Sequence, residues 1–385
     1  MSGVLPEAAD VVIVGGGVMG TSIAFHLAEA GVDRVLLLER NALGSGSTSK
    51  AAGGVRANFS DDLNIALGAR SLEAFANFGK RPGQEIDLHR VGYLFLLEND
   101  DQLELFREST IRQRAVGLPT RMIGVDETLS LAPILAPDGL AGACFSPADG
   151  HCSPESVVLG YATAARRLGA TLLTNCDVLG IDAVGNNIST VRTSLGTVRT
   201  STVICAAGAW SAALAAPLGI NLPVTPLRRQ IVVTEAIPGL PPTMPMTIDF
   251  TSTLYFHHEG PGLLLGMSDP DELPGFHLDR TDAWLPRLTA AMERRAPSLL
   301  DVGIASGWAG LYEVTPDHDA LIGEADSLSR FLYATGFSGH GFLQGPAVGE
   351  IIRDLYLGHE PFVDISPMHA SRFGTALRRT ERNVV

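Results

Sequence analysis

Residues 10–40 constrain the fold more strongly than any other part of the chain. They start with the β-branched run Val11–Val14, of the kind that is buried in a parallel sheet. Three glycines follow in the spacing G-x-G-x-x-G, at Gly15, Gly17 and Gly20. We therefore expect a strand, a glycine turn, a helix over residues 21–30 that Gly31 stops, and a second strand over Val35–Leu38.

This strand–turn–helix unit has the features of a dinucleotide site. Gly17 lets the main chain approach a pyrophosphate, Gly20 lets the helix pack closely on the strand, and the helix N-terminus near Met19 presents free N–H groups to the anion. Glu39 follows Gly20 by 19 positions, where a carboxylate can accept both hydroxyls of an adenosine ribose and argues against a 2′-phosphate. A glycine turn without a ligand is the alternative, and the motif alone does not distinguish NAD from FAD.

Composition and charge bound the class of protein. The 385-residue chain is 45% hydrophobic and carries a net charge of −14. This length allows two or three domains, and the acidic charge argues against nucleic acid or an anionic membrane surface as a partner. The N-terminus has no basic segment followed by an apolar one, so we expect a cytoplasmic protein without a secretory signal. The charge-free residues 201–220 contain glycine, proline and many alanines, which favours a buried strand and helix over a membrane span.

The four cysteines show no C-x-x-C pairing; they are Cys144, Cys152, Cys176 and Cys205. Four are too few to form the disulfide scaffold of a chain this long. We expect reduced, packed thiols and no metal site.

The remaining patterns alternate between strands and helices. Residues 41–54 are glycines, hydroxyls and small side chains that could line a phosphate or a polyol, with a flexible linker as the alternative. Apolar spacing predicts helices over residues 59–78, 100–116, 154–168, 284–295 and 346–357. Strands are predicted over residues 91–97, 171–181, 202–210, 229–234, 253–258, 262–267 and 331–335, with a hairpin over 185–200. The right-handed crossover rule places the strand that starts at residue 202 beside the first glycine motif.

Six motifs together resemble the glycine/D-amino-acid oxidase (DAO) family of FAD enzymes, and within it the branch of sarcosine oxidase and the proline dehydrogenase β-subunit. They are GGGVMG at 15–20, GSGSTSKAAGG at 44–54, VGYLFLLEND at 91–100, AAGAWS at 206–211, WAGLYEVTPDHDALIG at 308–323 and GFSGHGFLQGPAVGE at 336–350. The resemblance covers essentially the whole chain, and the last two motifs are the specific ones.

The resemblance implies an α/β fold with two domains. One is an FAD-binding, Rossmann-like domain of the glutathione reductase type, formed by residues 1–85, 145–222 and 305–385. The other is an inserted substrate domain, an antiparallel β-sheet with helices, formed by residues 86–144 and 223–304.

The resemblance also implies which residues hold the cofactor. The ADP half of FAD would contact Gly15, Gly17, Val18, Met19, Gly20, Glu39 and Arg40, and the phosphates would face Gly46, Ser47, Thr48 and Ser49. Val178 and Gly208 would form the floor of the adenosine pocket, and Ala207 and Trp210 would also contact the cofactor. The isoalloxazine would lie against Gly310, Gly339, His340, Gly341, Phe342 and Leu343, whose main-chain N–H groups stabilise negative charge on the reduced ring. A packed histidine in a turn is the alternative for His340, and its two flanking glycines favour the cofactor role.

Substrate contacts are implied for four side chains, of which His340 is one. Arg56 matches a position where amino-acid-oxidising relatives direct a guanidinium at the substrate carboxylate, and a surface arginine is the alternative. Tyr255 and Tyr312 match positions near the amine, and core tyrosines with a hydroxyl hydrogen bond are the alternative.

Three departures from the family pattern bear on mechanism. Relatives with covalently attached flavin carry a cysteine at the position of Gly310, so the resemblance implies non-covalent FAD. Oxygen-using sarcosine oxidases carry lysines at the positions of Leu264 and Leu343. Without the first lysine, superoxide beside the flavin loses electrostatic stabilisation, and without the second the substrate carboxylate loses a partner. Both changes favour a dehydrogenase.

We therefore predict FAD-dependent oxidation of a secondary or N-methylated amino acid, such as sarcosine or proline, to the imine by hydride transfer to flavin N5. Two alternatives remain at this point. One is an oxygen-using amine, amino-acid or hydroxy-acid oxidase of the same fold. The other is a flavin-bearing β-subunit of a larger electron-transfer complex, and the acceptor is accordingly oxygen, a quinone or a partner subunit.

Overall fold

The structure, a computed structural model, describes residues 4–374 and 381–383. Its strands are β1 Val11–Val14, β2 Val35–Leu38, β3 Gly54–Val55, β4 Tyr93–Leu97, β5 Arg121–Ile123, β6 Gly142–Ser146, β7 Gly150–His151, β8 Thr171–Leu173, β9 Val178–Val184, β10 Asn187–Thr193, β11 Gly196–Arg199, β12 Val203–Cys205, β13 Thr225–Thr234, β14 Met246–Asp249, β15 Tyr255–Glu259, β16 Gly262–Met267, β17 Ile304–Val314, β18 Leu321–Glu324 and β19 Phe331–Thr335. Its α-helices are α1 Val18–Glu29, α2 Asp62–Ala76, α3 Asp100–Ala115, α4 Val125–Leu131, α5 Pro154–Arg167, α6 Ser211–Ala215, α7 Leu285–Arg295 and α8 Gly341–Leu357.

Side chains at the helix starts explain several of these bounds. The Asp61 carboxylate accepts hydrogen bonds from the main-chain N–H groups of Leu63 and Asn64 and so caps α2. Asn99 caps α3 in the same way. Ser153 caps α5, where Pro154 follows at the first helical position and needs no hydrogen-bond partner for its nitrogen.

The first sheet carries the glycine motif at its centre. In the described residues its strand order is β18-β19-β12-β1-β2-β8, and every neighbouring pair except β18–β19 is parallel. All residues of β1 and β2 are buried, as expected for strands covered on both faces. Helices α1, α5 and α8 pack together on one face, with α2 against α8. The opposite face packs against the small sheet of β9, β10 and β11.

The second sheet separates two environments. Its order in the described residues is β17-β13-β16-β15-β14-β4-β6-β5, and its pairs are antiparallel except β14–β4. One face, which includes Leu94, Leu96 and Val232, packs under α4 and α7. Residues of opposite parity, including Tyr93, Tyr255 and Arg229, face a cavity that the first sheet also borders.

Most predicted elements are confirmed, and two differ from the prediction. The predicted strand over residues 171–181 is two strands in different sheets, because Asn175 adopts a left-handed conformation (φ 55°) and turns the chain between β8 and β9. The last helix was predicted to start at Pro346, but α8 begins five residues earlier at Gly341 and holds the proline inside it.

The predicted interior stretch over residues 201–220 forms β12 and α6. Across residues 4–374 and 381–383, no helix combines the length and the apolar character that a membrane span needs.

The domain boundaries remain a proposal. Strand β17 pairs with β13 over its whole length, which favours moving the start of the last FAD-binding segment from residue 305 to just after Val314. Strand β6 belongs to the second sheet, which favours moving the start of the middle segment from 145 to just after Ser146.

Candidate active site

One cavity of about 680 Å³ joins the two sheets. Its floor is formed where four strands of the first sheet end, at Val14, Leu38, Ala206 and Ala334. Its opposite wall is the cavity-facing side of the second sheet, from Tyr93 to Tyr312. Ligands of parallel α/β sheets bind beyond the carboxyl ends of the strands, which is where this cavity lies.

The glycine turn forms one end of the cavity. Gly16 N–H and Asn41 N–H donate to the two carboxylate oxygens of Glu39, at 2.7 and 2.8 Å, so this carboxylate is held at the end of β2. The Thr48 hydroxyl accepts from Val18 N–H at 3.1 Å. Beside them the Arg40 guanidinium carbon lies 3.8 Å from the centre of a Trp210 ring, which forms a flat wall suited to a purine.

Gly20 has a packing role. A β-carbon at this position would lie 1.8 Å from the Gly15 carbonyl oxygen, so α1 can approach β1 only with glycine here. Gly20 and Ser49 do not line the cavity, whereas the other predicted cofactor and substrate residues do.

The loop that follows Glu39 is hydrogen-bonded to the second sheet. The Ser47 hydroxyl donates to the Leu311 carbonyl at 2.6 Å, and the Trp308 indole N–H donates to the Lys50 carbonyl at 3.1 Å. The Lys50 side chain lines the cavity opposite Gly310. A β-carbon at Gly310 would lie 2.5 Å from the Lys50 β-carbon, so a cysteine at this position would require Lys50 to move.

The N-terminus of α8 forms the other end of the cavity. Residues 339–343 line it, and His340 is the residue that precedes the first helical turn. The first N–H groups of a helix have no carbonyl of a preceding turn to bond, and the helix dipole adds partial positive charge. This end therefore favours a ligand group that carries negative charge.

Arg56 is buried, and its guanidinium is held by the protein. It donates to the Asn58 carbonyl, to His340 Nε2 at 3.0 Å and to the Asn383 carbonyl at 2.9 Å. Burial lowers the pKa of His340 well below its ordinary value, and the positive charge of Arg56 adds to this effect. The imidazole is therefore neutral, and its Nε2 accepts from Arg56.

Two tyrosines and a carboxyl group complete this chamber. Burial raises the pKa of Tyr255 and of Tyr312, so both hydroxyls stay protonated near neutral pH. Burial also raises the pKa of Glu313 to about 7, although the Thr335 hydroxyl donates to it at 2.9 Å. The chamber thus holds hydroxyl and guanidinium groups that can hydrogen-bond an amine and a carboxylate.

Some lining residues were not predicted. Tyr93, Arg229, Met246 and Ile248 all point from the second sheet into the cavity. Tyr93 and Arg229 lie in predicted strands, and the two-residue alternation identifies one face of each strand. The sequence contains no signal for which face meets the cavity, because that depends on how distant strands pair.

The site fits the FAD that the resemblance implies. Two helix N-termini, those of α1 and α8, open on the same cavity, and the Glu39 carboxylate lies beside the first of them. Main-chain donors at both ends suit a molecule with a pyrophosphate at one end and, at the other, a group that takes up negative charge. Gly17 leaves room for a ligand to approach the main chain. A side chain here would crowd the site, because its β-carbon would lie 3.0 Å from the Thr48 hydroxyl.

Comparison with known proteins supports this assignment. Residues 10–355 match the DAO family, described as FAD dependent oxidoreductase. The chain is 30% identical to 4-methylaminobutanoate oxidase (formaldehyde-forming) of Paenarthrobacter nicotinovorans over 96% of this chain and 46% of the relative. It is 30% identical to mitochondrial sarcosine dehydrogenase of Mus musculus over 97% of this chain and 42% of the relative. It thus spans less than half the length of these two relatives.

A solved structure matches over its full length. The structure of L-proline dehydrogenase from P. horikoshii has a TM-score of 0.92 and 31% sequence identity, and the alignment covers 97% of this chain and 100% of that one.

Proposed function

The chain belongs to the DAO family of FAD-dependent oxidoreductases, and from that premise we propose that it oxidises a secondary or N-methylated amino acid, of the sarcosine or proline kind, to the imine. The observation that carries the proposal is a continuous cavity, which runs from the glycine turn to a chamber with Tyr255, Tyr312 and two guanidinium groups. The names of the relatives add support, because 4-methylaminobutanoate, sarcosine and proline are all secondary amines that carry a carboxylate.

The cofactor would be held from both ends. Residues 15–19 would bind the pyrophosphate, Glu39 the ribose, and the N–H groups of residues 339–343 the isoalloxazine. When bound, FAD supplies the acceptor for the hydride that leaves the carbon next to nitrogen. The N-terminus of α8 then stabilises the negative charge that accumulates at this end of the cavity.

The chamber selects the neutral amine. The guanidinium groups of Arg56 and Arg229 repel an ammonium, so the pKa of a bound amine falls and its lone pair becomes available. The hydroxyls of Tyr255 and Tyr312 orient the amine, and the apolar wall of Met246 and Ile248 excludes water. No side chain of this protein needs to remove a proton from carbon.

We propose a dehydrogenase, with a separate electron acceptor. Leu264 is buried and Leu343 lines the cavity, so neither position supplies a cation. Lys50 favours the oxidase alternative, because its side chain lines the cavity opposite Gly310 and could stabilise superoxide. The reaction with oxygen therefore has to be measured.

The test is the visible spectrum of the purified holoprotein under anaerobic conditions, mixed in turn with sarcosine, proline, hydroxyproline, glycine and D-amino acids. We expect one secondary amine to bleach the flavin and the colour to return slowly in air. Fast recovery would identify an oxidase, and a Lys50→Met variant should then recover more slowly. No bleaching by any of these amines would refute the proposed substrate class.

We also propose that the FAD is not covalently attached, since Gly310 replaces a cysteine. Acid precipitation should release all of the yellow colour into the supernatant. Colour that stays with the precipitated protein after washing would show a covalent bond and contradict this proposal.

A further inference from the structure

Arg229 is a cation in the cavity wall that lacks a counter-charge among the described residues. It lies on β13 opposite Gly310 of β17, and its guanidinium carbon lies 5.1 Å from the centre of the Tyr312 ring. Its Nη1 donates to the Arg228 carbonyl at 3.1 Å. Among residues 4–374 and 381–383, its buried Nε has no hydrogen-bond partner and no carboxylate lies within ion-pair distance of the group. A guanidinium has five N–H donors, so several of them face the cavity unmatched.

Arg56 differs from Arg229 in how many of its N–H donors the protein already uses. Three of its donors are already used, two of them on main-chain carbonyls and one on His340. The buried carboxyl groups of Asp149 and Glu381 also lie close enough to raise its pKa, against the larger effect of burial. A substrate carboxylate at Arg56 would have to displace bonds that the protein makes to itself.

The surroundings of Arg229 suit a carboxylate. The Tyr312 ring lies against the guanidinium, whose planar fork of N–H donors matches the two oxygens of a carboxylate. Ile231, two residues further along the same face of β13, is buried and also lines the cavity, and an apolar neighbour strengthens an ion pair formed here. Burial raises the pKa of Tyr255 and of Tyr312, and the charge of Arg229 partly opposes that rise, so all three side chains lie within the same chamber.

We propose that Arg229, with its unpaired guanidinium over Tyr312, binds the carboxylate of the amino-acid substrate, while Arg56 is a positioning residue that holds His340 and the chain near Asn383. This proposal rests on the function proposed above, and it makes Arg229 the residue that selects amino acids over simple amines. The contact is a charge-assisted pair of N–H···O bonds, and no covalent change occurs at Arg229.

The test measures binding without turnover in the FAD-loaded protein. The probes are cyclopentanecarboxylate and methoxyacetate, which have the shapes of proline and sarcosine but no nitrogen to oxidise, together with their uncharged amides. Titration calorimetry gives the dissociation constants. We expect the carboxylates to bind more tightly than the amides, and Arg229→Gln to weaken carboxylate binding about 10- to 100-fold while amide binding changes little.

Three further variants make the result specific. Arg229→Lys keeps the positive charge but loses the planar fork of N–H donors. Its dissociation constant for the carboxylates should therefore lie between those of the wild type and Arg229→Gln. If Arg229→Gln does not fold, Arg229→Lys provides the test. Arg56→Gln should preserve the preference for carboxylate over amide. Arg228→Lys is the matched control, because Arg228 is the next residue on β13 and is already paired with Glu272 at 2.9 Å.

The outcomes separate this proposal from the proposed function. Unchanged carboxylate binding in Arg229→Gln, loss of the preference in Arg56→Gln alone, or a wild-type protein that binds carboxylates no better than amides would each overturn the assignment. Anaerobic bleaching by amines tests the oxidation independently. If the carboxylates bind through Arg229 but no amine bleaches the flavin, the anion site stands and the proposed amine oxidation fails.

Discussion

Three buried carboxyl groups, in or just behind the cavity wall, make the stability of this protein depend on pH. Burial raises the pKa of Asp149, of Glu313 and of Glu381 to about 7. A raised carboxyl pKa means that the folded state keeps a proton that the unfolded state loses. Stability from these groups is therefore present at low pH and declines from about pH 4 to pH 7, each group contributing up to roughly 1.4 kcal/mol per pH unit.

Glu313→Gln should make this decline less steep. Glutamine keeps the shape and an acceptor for the Thr335 hydroxyl but cannot ionise, so one of the three contributions disappears. Chemical unfolding at pH 5.5, 6.5 and 7.5 measures the slope. The exposed Glu104→Gln variant is the control, and a slope identical to that of the wild type would show that Glu313 does not titrate in this range.

The candidate site residues were predicted unequally well. Spacing predicted the cofactor roles of the glycines and of Glu39, because a dinucleotide site needs those residue types at those positions, and these roles stay predictions. Arg56 was predicted as a carboxylate ligand, and this role stays a prediction, since its bonds to Asn58, His340 and Asn383 depend on residues far apart in sequence. No local sequence pattern distinguishes an arginine whose donors are used within the protein from one whose donors can bind a ligand.

In the βαβ element around the glycine turn, α1 can pack closely on β1 only because Gly20 has no β-carbon. Its bounds were predicted within a few residues, because both strands are buried apolar runs and the glycines end the first one. Because α1 lies so close to the Gly15 carbonyl, a substitution at Gly20 tests this packing role directly.

Gly20→Ala should lower both stability and FAD content. The added carbon would lie 1.8 Å from an oxygen atom, so α1 must shift, and overpacking of this kind costs about 1–3 kcal/mol. The ratio of flavin to protein absorbance and the melting temperature are the measurements. Gly124→Ala is the control, since a β-carbon there meets no atom within 4 Å; full FAD content in Gly20→Ala would contradict the packing argument.

Element ends were less predictable than element centres. The turn at Asn175 interrupts a segment that is apolar on both sides, and the start of α8 at Gly341 depends on the chain bending at residues 336–339. Proline favours a first helical position, which predicted a start at Pro346, yet tertiary packing of α8 against α1 and α2 keeps the proline inside the helix.

The whole molecule buries its four thiols in three apolar clusters, and Cys176 and Cys205 share one of them. Cys205 lies in the first sheet and Cys144 in the second, and Cys152 and Cys176 are also buried and free. The four thiols are packed, as predicted, and that they are reduced stays a prediction.

A thiol reagent such as 5,5′-dithiobis(2-nitrobenzoate) should react with the native holoprotein very slowly and with all four cysteines after unfolding in guanidinium. Reducing agent should leave the melting temperature unchanged. Rapid modification of the native protein would show that one of these clusters opens readily.

The sequence alone determined the nucleotide-binding unit, the alternation of strands and helices, and the residue types at the ends of the cavity, because these follow from local periodicity and from backbone geometry that only glycine allows. Tertiary structure decided the rest. Pairing of β13 with β17 brings Arg229 beside Gly310 and Tyr312, and residues 381–383 come to lie against Arg56. These contacts join segments separated by tens to hundreds of residues, and no local pattern specifies which segments meet.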